Sequence, residues 1–177
     1  MNQKRPAVFF DRDGVLNVDH GYTYREQDFE WMAGAIETIK YFNARNYRVF
    51  VITNQSGVAR GYYTEHDVQL LHQFMNEELD KQGAHIDAFY YCPHHSEGKV
   101  EEYRQSCTCR KPKPEMIHRA IKEWAVDSAH SFMIGDKSSD IEAANAAGLT
   151  GYLFTGGNLY KFTEEQILPY IHVKNIS

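Results

Sequence analysis

Residues 6–14 read Pro6-Ala7-Val8-Phe9-Phe10-Asp11-Arg12-Asp13-Gly14, and the fold is decided where this run changes character. The apolar half is too short for a helix and reads as a short buried strand, which then breaks directly into an Asp-x-Asp-Gly turn. Further strands of the same kind follow at Tyr47–Thr53, Ile86–Tyr91, Ser131–Gly135 and Gly151–Phe154. Between them lie helical patterns. Ala33–Phe42 carries apolar residues at Ile36, Ile39 and, less regularly, Tyr41 and Phe42. A second helix, N-capped by Thr64 and ending near Gly83, puts Val68, Leu71, Phe74, Met75 and Leu79 on one face. Pro114–Trp124 and Ser138–Ala147 supply two more, and Thr163 is a candidate N-cap for a last helix before a C-terminal tail. Strands alternating with helices predict an α/β fold: a Rossmann-like parallel sheet with helices on both faces.

The 177 residues suit one domain over 1–177, with apolar residues at 42% and charged residues at 24%. Mean hydropathy is -0.58 and no apolar run approaches the roughly 18 residues of a membrane span. Lys4 and Arg5 precede an apolar run that stops at Asp11, too short for a signal-peptide core, so the expected location is cytoplasmic. A net charge of -5 argues against a general nucleic-acid binder. No membrane partner is expected, and a monomer is expected.

Polar residues concentrate where the strands end. Asp11 and Asp13 follow the first strand, Thr53 and Asn54 end the second, and Asp136 follows the fourth. Ligands of open α/β sheets bind at the carboxyl ends of the strands, so these groups should converge. Two carboxylates one residue apart repel each other unless a cation lies between them. Asp11, Asp13 and Asp136 therefore suit Mg²⁺ shared with substrate phosphate oxygens, with Asp140 behind them. An Asp-x-Asp-Gly alone could be a turn and a Gly-Asp alone a helix cap. Their joint order behind apolar strands favours an active site.

The segment from Cys92 to Arg110 fits no regular element, and such a loop is uncommon unless functional or tied down. It contains all three cysteines. Cys92 and His94, then Cys107 and Cys109, form Cys-x-His and Cys-x-Cys pairs with 12 residues between them. Together they would complete a closed tetrahedral zinc site, structural because no position is left for water. A disulfide between Cys107 and Cys109 is geometrically awkward. His95 is a spare. Arg110, Lys111 and Lys113 follow the last cysteine directly, so the zinc loop 92–110 would anchor cations beside the carboxylates.

The order Asp11-Arg12-Asp13-Gly14-Val15-Leu16-Asn17, Thr53-Asn54-Gln55-Ser56, Lys111 and Gly135-Asp136-Lys137-Ser138-Ser139-Asp140 resembles the haloacid dehalogenase-like (HAD) phosphatase superfamily. That resemblance implies Asp11 as nucleophile forming an aspartyl-phosphate, Asp13 as general acid/base, and Thr53 and Lys111 as groups that bind the transferred phosphoryl. Neither interval between strands has room for a full cap domain, so a capless, open site is expected. Over the whole chain, the Cys92-Pro93-His94-His95 and Cys107-to-Lys111 segments are similar to the heptose 1,7-bisphosphate 7-phosphatase family. The similarity implies a sugar bisphosphate substrate from nucleotide-activated heptose and lipopolysaccharide core synthesis, catalytic Mg²⁺ and structural Zn²⁺. It also implies substrate contacts from Asp11, Arg12, Asp13, Asp19, His20, Gly21, Tyr22, Thr53, Asn54, Gln55, Ser56, Arg110, Lys111 and Lys137. Arg110 would hold the far phosphate. Two other readings are a histidinol-phosphate phosphatase and a non-catalytic zinc-stapled module for phosphate or nucleic acid. The 12-residue gap, the Cys92-Pro93-His94-His95 segment and Asp19-His20-Gly21-Tyr22 disfavour the first, and an intact Asp11/Asp13/Asp136 set disfavours the second.

Overall fold

The computed structural model describes residues 3–174. Five parallel strands form one sheet: β1 (Ala7–Phe10), β2 (Arg48–Asn54), β3 (Ala88–Cys92), β4 (Phe132–Gly135) and β5 (Thr150–Leu153), in the order β3-β2-β1-β4-β5. Every residue of β1 is buried, as a continuous apolar run at the centre of a parallel sheet requires. Its side chains alternate between two cores. Val8 and Phe10 pack with Ile39 and Phe42 of α1 (Ala35–Ala44) and Met75 and Leu79 of α2 (Glu65–Asp80). Ala7 and Phe9 pack with Met116 and Ile117 of α3 (Glu115–Glu123) and Ala143 and Ala144 of α4 (Ser138–Ala146). Helices therefore cover both faces, as the strand–helix alternation predicts.

Thr64 caps α2 as expected: its hydroxyl accepts from Asp67 N at 3.1 Å, while Asp67 Oδ2 accepts from Thr64 N at 2.8 Å. On the inner face of α2, His72 is buried, its ring stacked on Phe89 of β3, and Phe74 is only half-buried. The last helix begins earlier than Thr163. Asn158 caps α5 (Leu159–Gln166) by accepting from Lys161 N, and Thr163 lies buried within it, its hydroxyl donating to Leu159 O at 2.8 Å. A separate helix, α6 (Leu168–Lys174), follows, and the tail expected beyond it lies outside the described residues. No helix among the described residues is long and apolar enough to cross a membrane.

Between β1 and α1 the chain makes only loops and a 3-10 turn at Glu26–Asp28. Between β3 and α3 it makes the cysteine loop, whose one regular piece is a 3-10 turn at Glu101–Tyr103. Neither connection is a folded unit large enough to be a cap over the carboxyl ends of the strands.

Candidate active site

The sheet order reverses between β1 and β4, so the gap beyond their carboxyl ends is a topological switch point. Asp11 sits there, its backbone amide donating to Ile134 O at 3.1 Å. Asp136 leaves β4 next to it, and Asp140 folds back from the first turn of α4. Ligand oxygens of Asp11, Asp136 and Asp140 lie within 4.8 Å of one another. Gly14, at φ 88°, makes that approach possible: a Cβ there would stand 2.2 Å from Asp136 Oδ2.

Lys111 reaches into this group from the end of the cysteine loop and is almost wholly buried. Its Nζ donates to Asp11 Oδ1 at 2.9 Å, Asp140 Oδ1 at 2.6 Å and Ile52 O at 2.8 Å. Burial opposes its charge, but Asp11 and Asp140 outweigh that and hold its pKa above the ordinary lysine value. The loop reaches this depth because Asn54, at the end of β2, grips its backbone. Asn54 Oδ1 accepts from Lys111 N at 3.0 Å and Asn54 Nδ2 donates to Lys111 O at 3.3 Å.

The carboxylates divide by environment. Burial pushes Asp11 well above the usual carboxylate range against the pull of Lys111. Asp136 is also raised, chiefly by burial. Its Oδ1 is buried with no hydrogen-bond partner. Asp140 is committed elsewhere, for its Oδ2 accepts from the backbone amides of Asp136 and Lys137, each at 3.1 Å. A crowded pair, Asp11 and Asp136, with an orphaned buried oxygen is a donor set that fits a hard divalent cation.

Asp13 is separate. Its carboxylate is turned away from the cluster toward Arg12 (3.2 Å), Asn17 (3.0 Å) and Gln55 (3.1 Å). Burial raises its pKa, but Arg12 and the donated hydrogen bonds outweigh burial and leave the carboxyl below its ordinary value. The structure thus does not bring the Asp13 side chain into the expected metal set. Arg12 is enclosed, donating to Asp13 and Thr23 O and lying 3.1 Å from His72 Nε2, so its side chain faces the core and not the cleft. Thr53 is buried below the cleft, its hydroxyl oxygen accepting from Gln55 Nε2 at 2.8 Å.

Above these groups opens a cleft of about 500 Å³. Asp13, Asp19, Gly21, Tyr22, Asn54, Gln55, Ser56, Arg110, Lys111 and Lys137 line it, ten of the residues the sequence singles out. His20 is not among them. Its ring lies 2.8 Å from Glu30 over a neighbouring hollow. Arg60, Tyr63 and Ser139 also line the cleft, and the resemblance assigns none of them a substrate contact. Gly57 lets the Tyr63 ring in, since a Cβ there would meet it at 2.2 Å, a contact that only the folded loop reveals. The Tyr63 hydroxyl donates to Gln55 Oε1 at 2.6 Å and so fixes the amide that holds Asp13 and Thr53.

The cysteine loop closes on itself as the spacing predicts. Cys92 Sγ lies 3.0 Å from Cys109 Sγ and 3.5 Å from Cys107 Sγ, and His94 Nδ1 lies 3.3 Å from Cys109 Sγ. The three thiols are free. Zn–S bonds of about 2.3 Å in a tetrahedron put ligand atoms about 3.5–3.8 Å apart, so the cluster is compatible with zinc. Burial raises Cys92 and Cys109. It also opposes ionisation of Cys107, but hydrogen bonds from the Arg110 backbone and the neighbouring thiols bring that group down to about 7.

A switch-point carboxylate cluster with a buried lysine against its first aspartate defines a HAD-like hydrolase, a class that generally uses Mg²⁺. The family model for HAD-hydrolase-like proteins matches residues 108–174. The chain is 48% identical over 165 residues to the D-glycero-beta-D-manno-heptose-1,7-bisphosphate 7-phosphatase of Rhodopseudomonas palustris, covering 93% of this chain and 92% of that protein. To the enzyme of the same name from Escherichia coli K12 it is 44% identical over 149 residues, covering 84% and 78%. The crystal structure of D,D-heptose 1,7-bisphosphate phosphatase from B. bronchiseptica, complexed with magnesium and phosphate, matches with a TM-score of 0.76 at 31% identity, covering 93% of this chain and 88% of that one. The chain belongs to the family of heptose-1,7-bisphosphate 7-phosphatases.

Proposed function

We propose that this chain removes the 7-phosphate of D-glycero-β-D-manno-heptose 1,7-bisphosphate, a step of nucleotide-activated heptose and lipopolysaccharide core synthesis. The observation that carries the chemistry is Lys111 Nζ held between Asp11 and Asp140 on the floor of an open cleft. Lys111 and the Arg12 amide both donate to Asp11 Oδ1, which leaves Oδ2 to attack. That oxygen attacks phosphorus, the P–O bond to C7 of the sugar breaks, and Asp13 gives its proton to the departing oxygen. Asp13 then takes a proton from water, which attacks the aspartyl-phosphate and releases inorganic phosphate with Asp11 restored. In the free protein Asp13 is held in the ionised form that the second half needs. Negative charge on the bound phosphoryl group raises its proton affinity for the first half.

Asp11 and Asp136 would hold the Mg²⁺, which supplies neutralisation of charge on the transferred oxygens. The Thr53 hydroxyl and the Lys111 ammonium serve the same oxygens from the protein side. Cys92, His94, Cys107 and Cys109 would hold the Zn²⁺, which fixes the loop carrying Arg110 and Lys111. With no cap to enclose the sugar, Arg110 selects the substrate through the phosphate that does not react. Initial rates with Mg²⁺ on both anomers of the heptose bisphosphate and on histidinol phosphate test this reading. The β-anomer should have the highest kcat/KM. A histidinol phosphate value equal to or above it would overturn the assignment.

A further inference from the structure

Arg60 belongs to the cleft wall, but none of the chemistry above uses it. It stands in the loop after β2, between Ser56, whose carbonyl accepts from Arg60 N at 3.0 Å, and Gly61. Its Nε is buried without a hydrogen-bond partner, and so is Nη1 of Arg110. Among the described residues the arginines in ion pairs are Arg12, Arg25, Arg48 and Arg119; Arg60 and Arg110 are in none. A buried guanidinium with an unsatisfied N–H is costly, and two in one cleft wall call for a common acceptor.

A third donor, outside the cleft lining itself, lies against Arg60. His95 Nδ1 accepts from Glu97 N at 3.1 Å, which places the proton of the neutral ring on Nε2. That Nε2 faces Arg60 Nη2 at 3.5 Å. Two N–H donors face each other there, so the contact is no hydrogen bond; an anion bridging them would satisfy both. The juxtaposition is built into the backbone. Val100 N donates to Ala59 O at 2.9 Å, clamping the Arg60 loop against the cysteine loop. Gly98 allows the approach, since a Cβ there would lie 2.8 Å from both Cβ and O of Ala59. One closed loop thus presents His95 near its start and Arg110 at its end, with Arg60 held across from it.

We propose that Arg60 and His95 complete, with Arg110, the subsite for the non-reacting phosphate, Arg60 being a specificity-determining residue. This rests on the reading that the substrate is a sugar bisphosphate. The test compares kcat/KM for the heptose 1,7-bisphosphate with that for the same heptose carrying only the 7-phosphate, as a ratio, in the full-length protein. Wild type should favour the bisphosphate. Arg60→Gln should lower that ratio by about 10- to 100-fold, mostly through KM, the scale of a lost charged hydrogen bond. His95→Phe should lower it by about 3- to 10-fold. The double variant Arg60→Gln/Arg110→Gln should lose less than the product of the single losses, because both arms hold one group. If wild type favours the bisphosphate and Arg60→Gln keeps the wild-type ratio, Arg60 is outside the subsite and the bisphosphate reading stands without it. If wild type shows no preference, that reading fails and this inference falls with it.

Discussion

The two ends of the cleft are built by different means. At the floor, Asp11, Thr53 and Asp136 sit at the ends of paired, largely buried strands, so the β-ladder itself sets their positions. At the rim, Arg110 sits on a loop whose one regular piece is a three-residue turn, and three thiols with an imidazole draw that loop together. The floor therefore takes its rigidity from packing, while the rim takes it from a site compatible with metal. Lys111 joins the two, since it leaves the loop and ends between two buried carboxylates.

Removing the proposed nucleophile at the floor should have the largest effect. Asp11→Asn keeps size but removes the attacking carboxylate, and kcat should fall by at least about a thousandfold in a protein that stays folded. Multiple-turnover phosphate release beside a circular dichroism spectrum checks this. Lys111→Met probes the join. It leaves Asp11 and Asp140 buried without their cation, so unfolding free energy should drop by about 3–5 kcal/mol and activity should be lost with it. Urea titration against wild type measures the first part.

Breaking the rim should leave the floor in place. Cys107→Ser should abolish zinc near one equivalent by elemental analysis and lower kcat/KM for the bisphosphate by about 10- to 100-fold. Brief chelation of wild type should separate the metals: activity stops and Mg²⁺ alone restores it, while the thiolate-held ion leaves slowly. A zinc-free wild-type preparation made without chelator would show that the rim is held by something else.

The smallest expected effect lies under the floor. Burial first, then the Arg12 guanidinium, keeps His72 well below the ordinary histidine pKa near 6.5. An unfolded chain takes up a proton at that residue below pH 6.5 and the folded one does not, so stability falls as pH falls through that window. His72 should contribute about 1.4 kcal/mol of loss per pH unit below 6.5. His72→Gln keeps an acceptor for Arg12 and should flatten the slope of unfolding free energy between pH 6.5 and 5 by about one proton.

The difference in construction also explains what the sequence reveals. Strands such as Phe9–Phe10 and Val49–Ile52 are continuous apolar runs, and their polar ends announce the floor. The cysteine loop is legible as spacing, because metal ligation needs particular residue types at particular intervals. Side-chain direction is not legible. Asp13 is aimed at Gln55 because Tyr63, eight residues further on, holds that amide, and Arg12 is buried because His72 and Thr23 O receive it. The place of Arg60 in the cleft wall depends on the Ala59–Val100 contact, which brings two loops distant in sequence together. Thr163 resembled a cap because hydroxyls serve both as caps and as mid-helix donors to the preceding turn.

The division into a reacting floor and a holding rim is tested most directly by which phosphate leaves. Phosphorus NMR of a reaction on the heptose 1,7-bisphosphate should show loss of the C7 phosphomonoester, growth of inorganic phosphate, and a persistent anomeric phosphate on C1. Loss of the C1 phosphate first, or of both at equal rates, would contradict the assignment of the two ends.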